Sequence, residues 1–403
     1  MLLRRRMRGV GPDATDWRER VTALLAAWPE RLADQRVLRD SLPTVEPLAE
    51  TVGDLYAALF RDNPSLRSLF PDSLHAQQER FAWSLKGLIE SLDRPDVIVP
   101  LFAELGRAHR KLGVRTVHYG PFGSAFLEAL RGRAGAAWRP EYEAAWLRAY
   151  DFVAEVMSHA AESDLGEPPY VRATVVRHEL RRPDLAVLHL QPAEPYPYVA
   201  GQYATVESPR LPHSWRSFSI ANAPAEQAPL ELHVRATGSG RLSDVLVYHT
   251  RVGDVLRLGP ARGSVTLTPP SGDGVLLAAG GTGLATAKAL LDELARQASP
   301  PVTWLFFGAR TVEDLYDRED LSRRANRYPW LRLVFTVADG GFTGSPGGAH
   351  PYEAGTVVDA VTRRGSWAGY DAYLSGPREM VEALRDRLVA LGVARDHIKY
   401  DPQ

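Results

Sequence analysis

The run Val275-Leu276-Leu277-Ala278-Ala279 passes straight into Gly280-Gly281-Thr282-Gly283, and a helical pattern follows over 284–297. A buried strand, a glycine turn and a helix, in that order, constrain the fold more than any other segment. Glycines let the backbone approach a pyrophosphate closely, and the helix amino-terminus offers free N–H groups and a positive dipole. Further strand patterns at 302–307, 331–337 and 372–374 alternate with helical ones at 314–325 and 381–391. Parallel strands with crossover helices predict a doubly wound α/β nucleotide-binding domain over 272–403.

Upstream the pattern changes. Short alternating segments at 170–176, 185–190, 203–207, 230–235 and 255–258, separated by turn residues, predict an antiparallel β-barrel over 168–268. Arg216-Ser217-Phe218-Ser219 falls at the end of one barrel strand. Arginine neutralises a flavin phosphate, and a serine hydroxyl with its backbone bonds an isoalloxazine ring. Gly238-Ser239-Gly240-Arg241-Leu242-Ser243 reads as a loop over a pyrophosphate, with Ser243 capping a helix. A polar, proline-bearing join at 163–169 precedes the barrel.

Residues 31–162 show helical periodicity. Val52, Leu55, Tyr56 and Leu59 share one face, as do Gln77, Phe81, Leu85 and Leu88. So do Leu101, Leu105, His109 and Leu112, and then Tyr142, Trp146, Tyr150, Val153 and Met157. This predicts an all-α domain, so the chain is multidomain, α and α/β. An imidazole on the apolar stripe at 109 needs a partner, either a hydrogen bond or an iron ion. His75, His118 and His159 are rival ligands. Residues 1–30 read as an extension whose helix (Trp17, Val21, Leu24, Leu25, Trp28) packs on the next domain or docks a partner.

A chain of 403 residues suits two or three domains. A net charge of −1 argues against nucleic acid or anionic membrane as an obligate partner. With no cysteine, disulfides, thiolate zinc sites and cysteine nucleophiles are excluded, and a reducing cytoplasm fits. Met1-Leu2-Leu3-Arg4-Arg5-Arg6 starts like a signal peptide, but residues 9–19 supply no apolar core. No run is apolar for long enough to span a membrane.

Residues 168–403 resemble a ferredoxin-reductase-type flavin module in Arg216-Ser217-Phe218-Ser219, Gly281-Thr282-Gly283 and Ser375-Gly376-Pro377. Residues 36–160 are similar to the globin domain of a flavohaemoglobin. The carriers there are Leu105-Gly106-Arg107-Ala108-His109 with Tyr119, and the corner Asn63-Pro64-Ser65-Leu66-Arg67-Ser68-Leu69-Phe70. The order globin, flavin barrel, nucleotide domain is that family's order. The resemblance implies haem b, FAD and NADH or NADPH as cofactors. It makes His109 the proximal iron ligand, Tyr119 a relay partner and Glu162 or Ser163 the relay position. Phe70 would wedge the porphyrin, Tyr56 and Gln77 would face bound dioxygen, and Phe81 would stand beside them. Gln78 replaces Gln77 if the register shifts by one. On the reductase side it implies FAD or nucleotide contacts at Tyr203, Arg216, Ser217, Phe218, Ser219, Gly240 and Ser243. Further contacts fall at Gly281, Thr282, Gly283, Leu284, Ala285, Thr286, Arg310, Ser375, Gly376, Pro377 and Asp401. Phe307-Gly308-Ala309-Arg310, with Asp314-Leu315-Tyr316-Asp317 behind it, resembles reductases that use NADH, although Arg310 also suits the extra phosphate of NADPH.

Several positions depart from that pattern. Ala108 stands for a lysine, Phe218 for a tyrosine, Thr286 for a proline, Ser375 for a cysteine and Asp401 for a glutamate, and the aromatic after Asp401 is absent. The implied activity is electron transfer from NAD(P)H through FAD to haem, with dioxygen and nitric oxide as substrates and nitrate as product. Peroxide reduction, a globin sensor with slow turnover, and a reductase with a haem-free helical domain are the alternatives. No protein partner is identified.

Overall fold

A computed structural model describes residues 30–71, 73–166, 168–226, 228–238, 240–268, 272–339 and 352–401, with residues 19, 22, 23, 25, 26 and 28. The signal-like start, most of the Trp17–Trp28 pattern and Ser239 lie outside the described residues. The chain divides into two compact units, Met1–Pro169 and Tyr170–Gln403.

The first unit is all helix: α1 (Arg31–Val45), α2 (Leu48–Asp62), α3 (His75–Ser91), α4 (Pro95–Arg110), α5 (Tyr119–Ala134) and α6 (Pro140–Ser163). Proline opens α4 and α6, where its missing N–H has no intrahelical partner to lose. The stripe Val52, Leu55, Tyr56 and Leu59 on α2 is buried in the core. Trp28 is buried too; its Nε1–H donates to Asp34 at 2.6 Å, and its ring packs 5.3 Å from Phe152. Helices α4 and α6 cross at Gly106, where an added Cβ would lie 2.2 Å from the Met157 carbonyl oxygen. The periodicity on α4 misleads about its core face. Ile98, Val99, Phe102, Ala103 and Gly106 are buried, whereas Leu101 and Leu105 are 61% and 38% exposed.

The second unit begins with an antiparallel sheet of β1 (Val171–Arg182), β2 (Leu185–Pro192), β3 (Tyr203–Glu207), β4 (Arg216–Ser219), β5 (Leu230–Arg235) and β6 (Val255–Leu258). Its order is β4-β3-β6-β1-β2-β5, and an antiparallel bridge from Ile220, just past β4, to Leu232 on β5 curls it into a barrel. A parallel sheet follows: β7 (Gly274–Gly280), β8 (Thr303–Ala309), β9 (Leu331–Val337), β10 (Tyr352–Ala354), β11 (Tyr370–Ser375) and β12 (Ile398–Lys399), in the order β10-β9-β8-β7-β11-β12. Every residue of β7 is buried because both faces are covered. Leu277 and Ala279 pack under α7 (Leu284–Leu294), while Leu276 and Ala278 pack with α9 (Val357–Arg363) and α10 (Arg378–Ala390). Between β8 and β9, α8 (Arg318–Arg327) starts four residues later than the pattern at 314–325 suggests, because Val312–Asp314 is a separate 3₁₀ turn. Strands β10 and β12 and helix α9 have no counterpart in the sequence pattern. Among the described residues no helix is long and apolar enough to cross a membrane.

Candidate functional site

In the helical unit, His109 sits in the last turn of α4, half-buried, with Nδ1 2.7 Å from the Leu105 carbonyl oxygen. That carbonyl accepts Nδ1–H, which fixes the tautomer and leaves Nε2 unprotonated. Burial holds the imidazole below the ordinary histidine value, against the pull of the Leu105 carbonyl. Leu101 and Leu105, spaced four residues apart with His109, line the same side of the helix. The rivals are less suited. The His75 side chain is 81% exposed and pairs with Glu79, and His118 Nδ1 accepts from the Arg115 N–H. His159 Nδ1 is buried with no hydrogen-bond partner, on α6.

Tyr56 on α2 is buried, its ring 6.0 Å from Phe60 and 5.3 Å from Phe70. Its phenol is pushed up to about 12 by burial, partly countered by a hydrogen bond from Gln77 and by Arg80. The Arg80 guanidinium donates to Gln77 Oε1 at 2.9 Å. The protonated Tyr56 phenol keeps a hydroxyl proton to give. Gln78 lies over Gly53, where an added Cβ would be 3.3 Å from its amide nitrogen, so the neighbouring glutamines have different surroundings. Phe81 packs edge-on against Phe122 at 5.7 Å and near Phe126 at 6.1 Å. Tyr119 opens α5; burial pushes its phenol up to about 12, and its carbonyl accepts from the Tyr150 hydroxyl at 2.5 Å. Glu162 accepts from the Thr116 hydroxyl at 2.8 Å, and Ser163 bonds the Ala160 carbonyl, so neither is bonded to Tyr119 or His109. A haem iron is held by a proximal imidazole in globins, and hydrogen-bond donors in an apolar distal pocket tune what it binds. The residues present fit this group.

In the second unit, Tyr203 and Ser219 face each other across β3 and β4. Directly opposed residues project to the same side of a sheet. Arg216 and Ser217 are exposed, and Phe218 packs with the barrel core. Asp401 accepts from the Ser264 N–H at 3.0 Å, against Gly263 and beside Tyr203. The turn Gly281–Gly283 and the segment Ser375-Gly376-Pro377 leave the carboxyl ends of the adjacent strands β7 and β11, where the strand order reverses. An added Cβ on Gly283 would meet the Ser375 carbonyl oxygen at 2.3 Å, so only glycine allows this approach. Thr282 is partly exposed above it, while Leu284, Ala285 and Thr286 are buried. Arg310, at the carboxyl end of β8, is exposed. These groups fit a flat flavin beside Tyr203 and Ser219 and a pyrophosphate at the turn.

One expectation is corrected. Ser243 does not cap its helix: it lies inside the short turn Leu242–Asp244, which follows Arg241. Asp244 instead accepts from the N–H groups of Thr237 and Gly238 and shapes the loop that carries the exposed Gly240. The segment Asp314-Leu315-Tyr316-Asp317 bonds the barrel and α7 through its polar groups. Arg235 donates to Asp314 at 2.6 Å, His233 Nδ1 lies 2.7 Å from the Tyr316 hydroxyl, and Lys288 donates to Asp317 at 2.7 Å. Lys288 also donates to Glu231 at 2.9 Å, and His233 Nε2 lies 2.8 Å from Glu231. Glu231, His233 and Asp317 are spaced like metal ligands, but the Lys288 ammonium already bonds both carboxylates. Burial alone would lower Lys288, yet the Glu231 and Asp317 charges raise it above its ordinary value. Nothing in the sequence pattern signals this buried seam between barrel and nucleotide lobe.

Three family models match the chain: globin at residues 53–157, an oxidoreductase FAD-binding domain at 172–266 and an oxidoreductase NAD-binding domain at 277–386. A flavohemoprotein of Bordetella parapertussis is 28% identical over 363 residues, spanning 85% of this chain and 90% of that protein. The ferredoxin–NAD(P)(+) reductase component of a Pseudomonas putida naphthalene 1,2-dioxygenase system is 30% identical over 248 residues, 61% of this chain and 71% of its own. A flavohemoglobin structure from Malassezia yamatoensis, with bound FAD and heme, shares the fold with a TM-score of 0.73 at 18% identity, covering 91% of this chain and 98% of that one. A globin followed by FAD-binding and NAD-binding reductase domains, in that order along one polypeptide, places this chain in the flavohaemoglobin family.

Proposed function

We propose that this protein oxidises NADH or NADPH and delivers the electrons through FAD to a haem held by His109, where nitric oxide is converted to nitrate at the expense of dioxygen. Bound FAD would accept hydride and pass on single electrons, and the haem would supply the iron on which dioxygen and nitric oxide react. The observation that carries the reading is the buried Tyr56 phenol walled by Phe60 and Phe70. A phenol pushed up to about 12 by burial stays protonated across the physiological range and keeps its proton to give. Such a group stabilises partial negative charge on a diatomic ligand. His109, fixed through the Leu105 carbonyl, presents a neutral nitrogen suited to iron. Ser219 and Tyr203 would orient the flavin ring, Arg216 would meet its phosphate, and the Gly281–Gly283 turn would bind the nucleotide pyrophosphate.

The test is product analysis of the haem- and FAD-loaded protein supplied with NADH, dioxygen and nitric oxide. Nitrate should form in step with nitric oxide consumed, and Tyr56→Phe should slow its formation about tenfold or more, as loss of a transition-state donor does. NADH oxidation that ignores nitric oxide but accelerates with an alkyl hydroperoxide would replace this reading with peroxide reduction.

A further inference from the structure

Two departures from the reductase pattern, Thr286 for proline and Ser375 for cysteine, meet in space. The Ser375 hydroxyl donates to Thr286 Oγ1 at 3.2 Å, and Thr286 donates to Ser219 Oγ at 3.0 Å. Ser375 ends β11, Thr286 lies in the first turn of α7, and Ser219 ends β4 of the barrel. The chain of hydroxyls therefore crosses from the nucleotide lobe to the barrel. Thr286 is 4% exposed, and its β-branched side chain has few rotamers, so its hydroxyl is held in place. A serine hydroxyl carries one proton and two acceptor positions. With one acceptor position filled by Thr286, the Ser219 proton must be given elsewhere.

We infer that Thr286 is a positioning residue for the flavin. It aims the Ser219 hydroxyl proton at the isoalloxazine ring and ties that donor to Ser375 at the carboxyl end of β11. The inference rests on the proposed reading that Ser219 faces FAD. The two substitutions then form one device. Proline at 286 leaves Ser375 without its acceptor and Ser219 without its donor. Cysteine at 375 weakens the first link, because a thiol is a poor donor. Successive hydroxyls polarise one another, so the effect of breaking the chain reaches its end.

The experiment uses the full-length, FAD-loaded protein and its Thr286→Val, Thr286→Ser, Ser219→Ala and Thr286→Val/Ser219→Ala variants. Thermal unfolding and FAD content establish that each is folded. Three readouts follow: the flavin midpoint potential, the rate of anaerobic FAD reduction by NADH, and the KM for NADH. Thr286→Val should slow flavin reduction about tenfold, the size of one hydrogen bond to a developing charge, with KM changed by less than about twofold. Its midpoint potential should move in the same direction as that of Ser219→Ala. The double variant should be no slower than Ser219→Ala alone, and Thr286→Ser should restore the rate. A Thr286→Val protein with unchanged potential and rate, or a double variant showing the product of the two single effects, overturns the inference while leaving Ser219 at the flavin. A Ser219→Ala protein with unchanged flavin potential and reduction rate overturns the placement of Ser219 at FAD, and the inference with it.

Discussion

The helical unit and the reductase unit each present a hydroxyl at the candidate site, but they support it differently. Tyr56 is buried and walled by Phe60 and Phe70. Ser219 is backed by two further hydroxyls, and the lobes on either side of that chain are pinned by Lys288, Glu231, His233, Tyr316 and Asp317. The helical unit relies on apolar packing and a few polar contacts. The reductase unit relies on a buried charge network that sets one sheet against another. A site for an apolar macrocycle needs a dry wall and one good donor. A site where hydride passes between two ring systems needs two layers held in register.

The comparison breaks most sharply at His109. His109→Ala should abolish the Soret band of the purified protein while leaving the flavin spectrum intact, since nothing in the reductase unit depends on it. Retention of the band with unaltered axial ligation would contradict the assignment. Next in size is the seam. Asp317 and Lys288 are 4% and 6% exposed, and removing Asp317 leaves the buried Lys288 ammonium with Glu231 as its one short partner. Asp317→Ala should destabilise the reductase unit by about 3 kcal/mol, read by calorimetry of the full chain, with no change in haem binding. In the helical unit the weak point is a backbone crossing. Gly106→Ala places a methyl group against the Met157 carbonyl and should cost about 1–3 kcal/mol, with loss of haem affinity because His109 lies one turn away.

The smallest effect is on pH dependence. Burial, against the pull of Glu231, lowers His233 below its reference value of 6.5. Burial tends to raise Glu231 above 4.5, but His233 and Lys288 bring it below. Both groups are depressed in the folded state, so their contribution is complete above the unfolded values and is lost as pH falls through the folded ones. The reductase unfolding transition should therefore move to lower temperature once pH drops beneath 6.5, and again beneath 4.5. His233→Gln should remove the first step and shrink the second, because His233 is one of the groups that lower Glu231. A wild-type transition flat across that window would contradict the network's role.

Much of the fold is legible where local chemistry is decisive. The segment β7–turn–α7 is readable because an all-apolar strand meets glycines and then a helical period. Strands 203–207, 230–235, 255–258 and 331–337 have the same bounds in sequence pattern and structure, because turn residues bracket them. Strand β10 is not readable: three residues pair only with β9, at the sheet edge. On α4 the period identifies a face but not which face is covered, so Leu101 and Leu105 look like core. Asp314, Tyr316 and Asp317 look like nucleotide determinants because their partners, Arg235, His233 and Lys288, are distant in sequence. The direction of hydrogen bonding at Ser219 depends on side chains one sheet away, which no spacing rule encodes.

Anaerobic mixing of the haem- and FAD-loaded protein with NADH, followed by stopped-flow absorbance, tests the central claim most directly. The account predicts flavin bleaching followed by a shift of the Soret band from the ferric to the ferrous form. A reduced flavin beside a haem that stays ferric would contradict it.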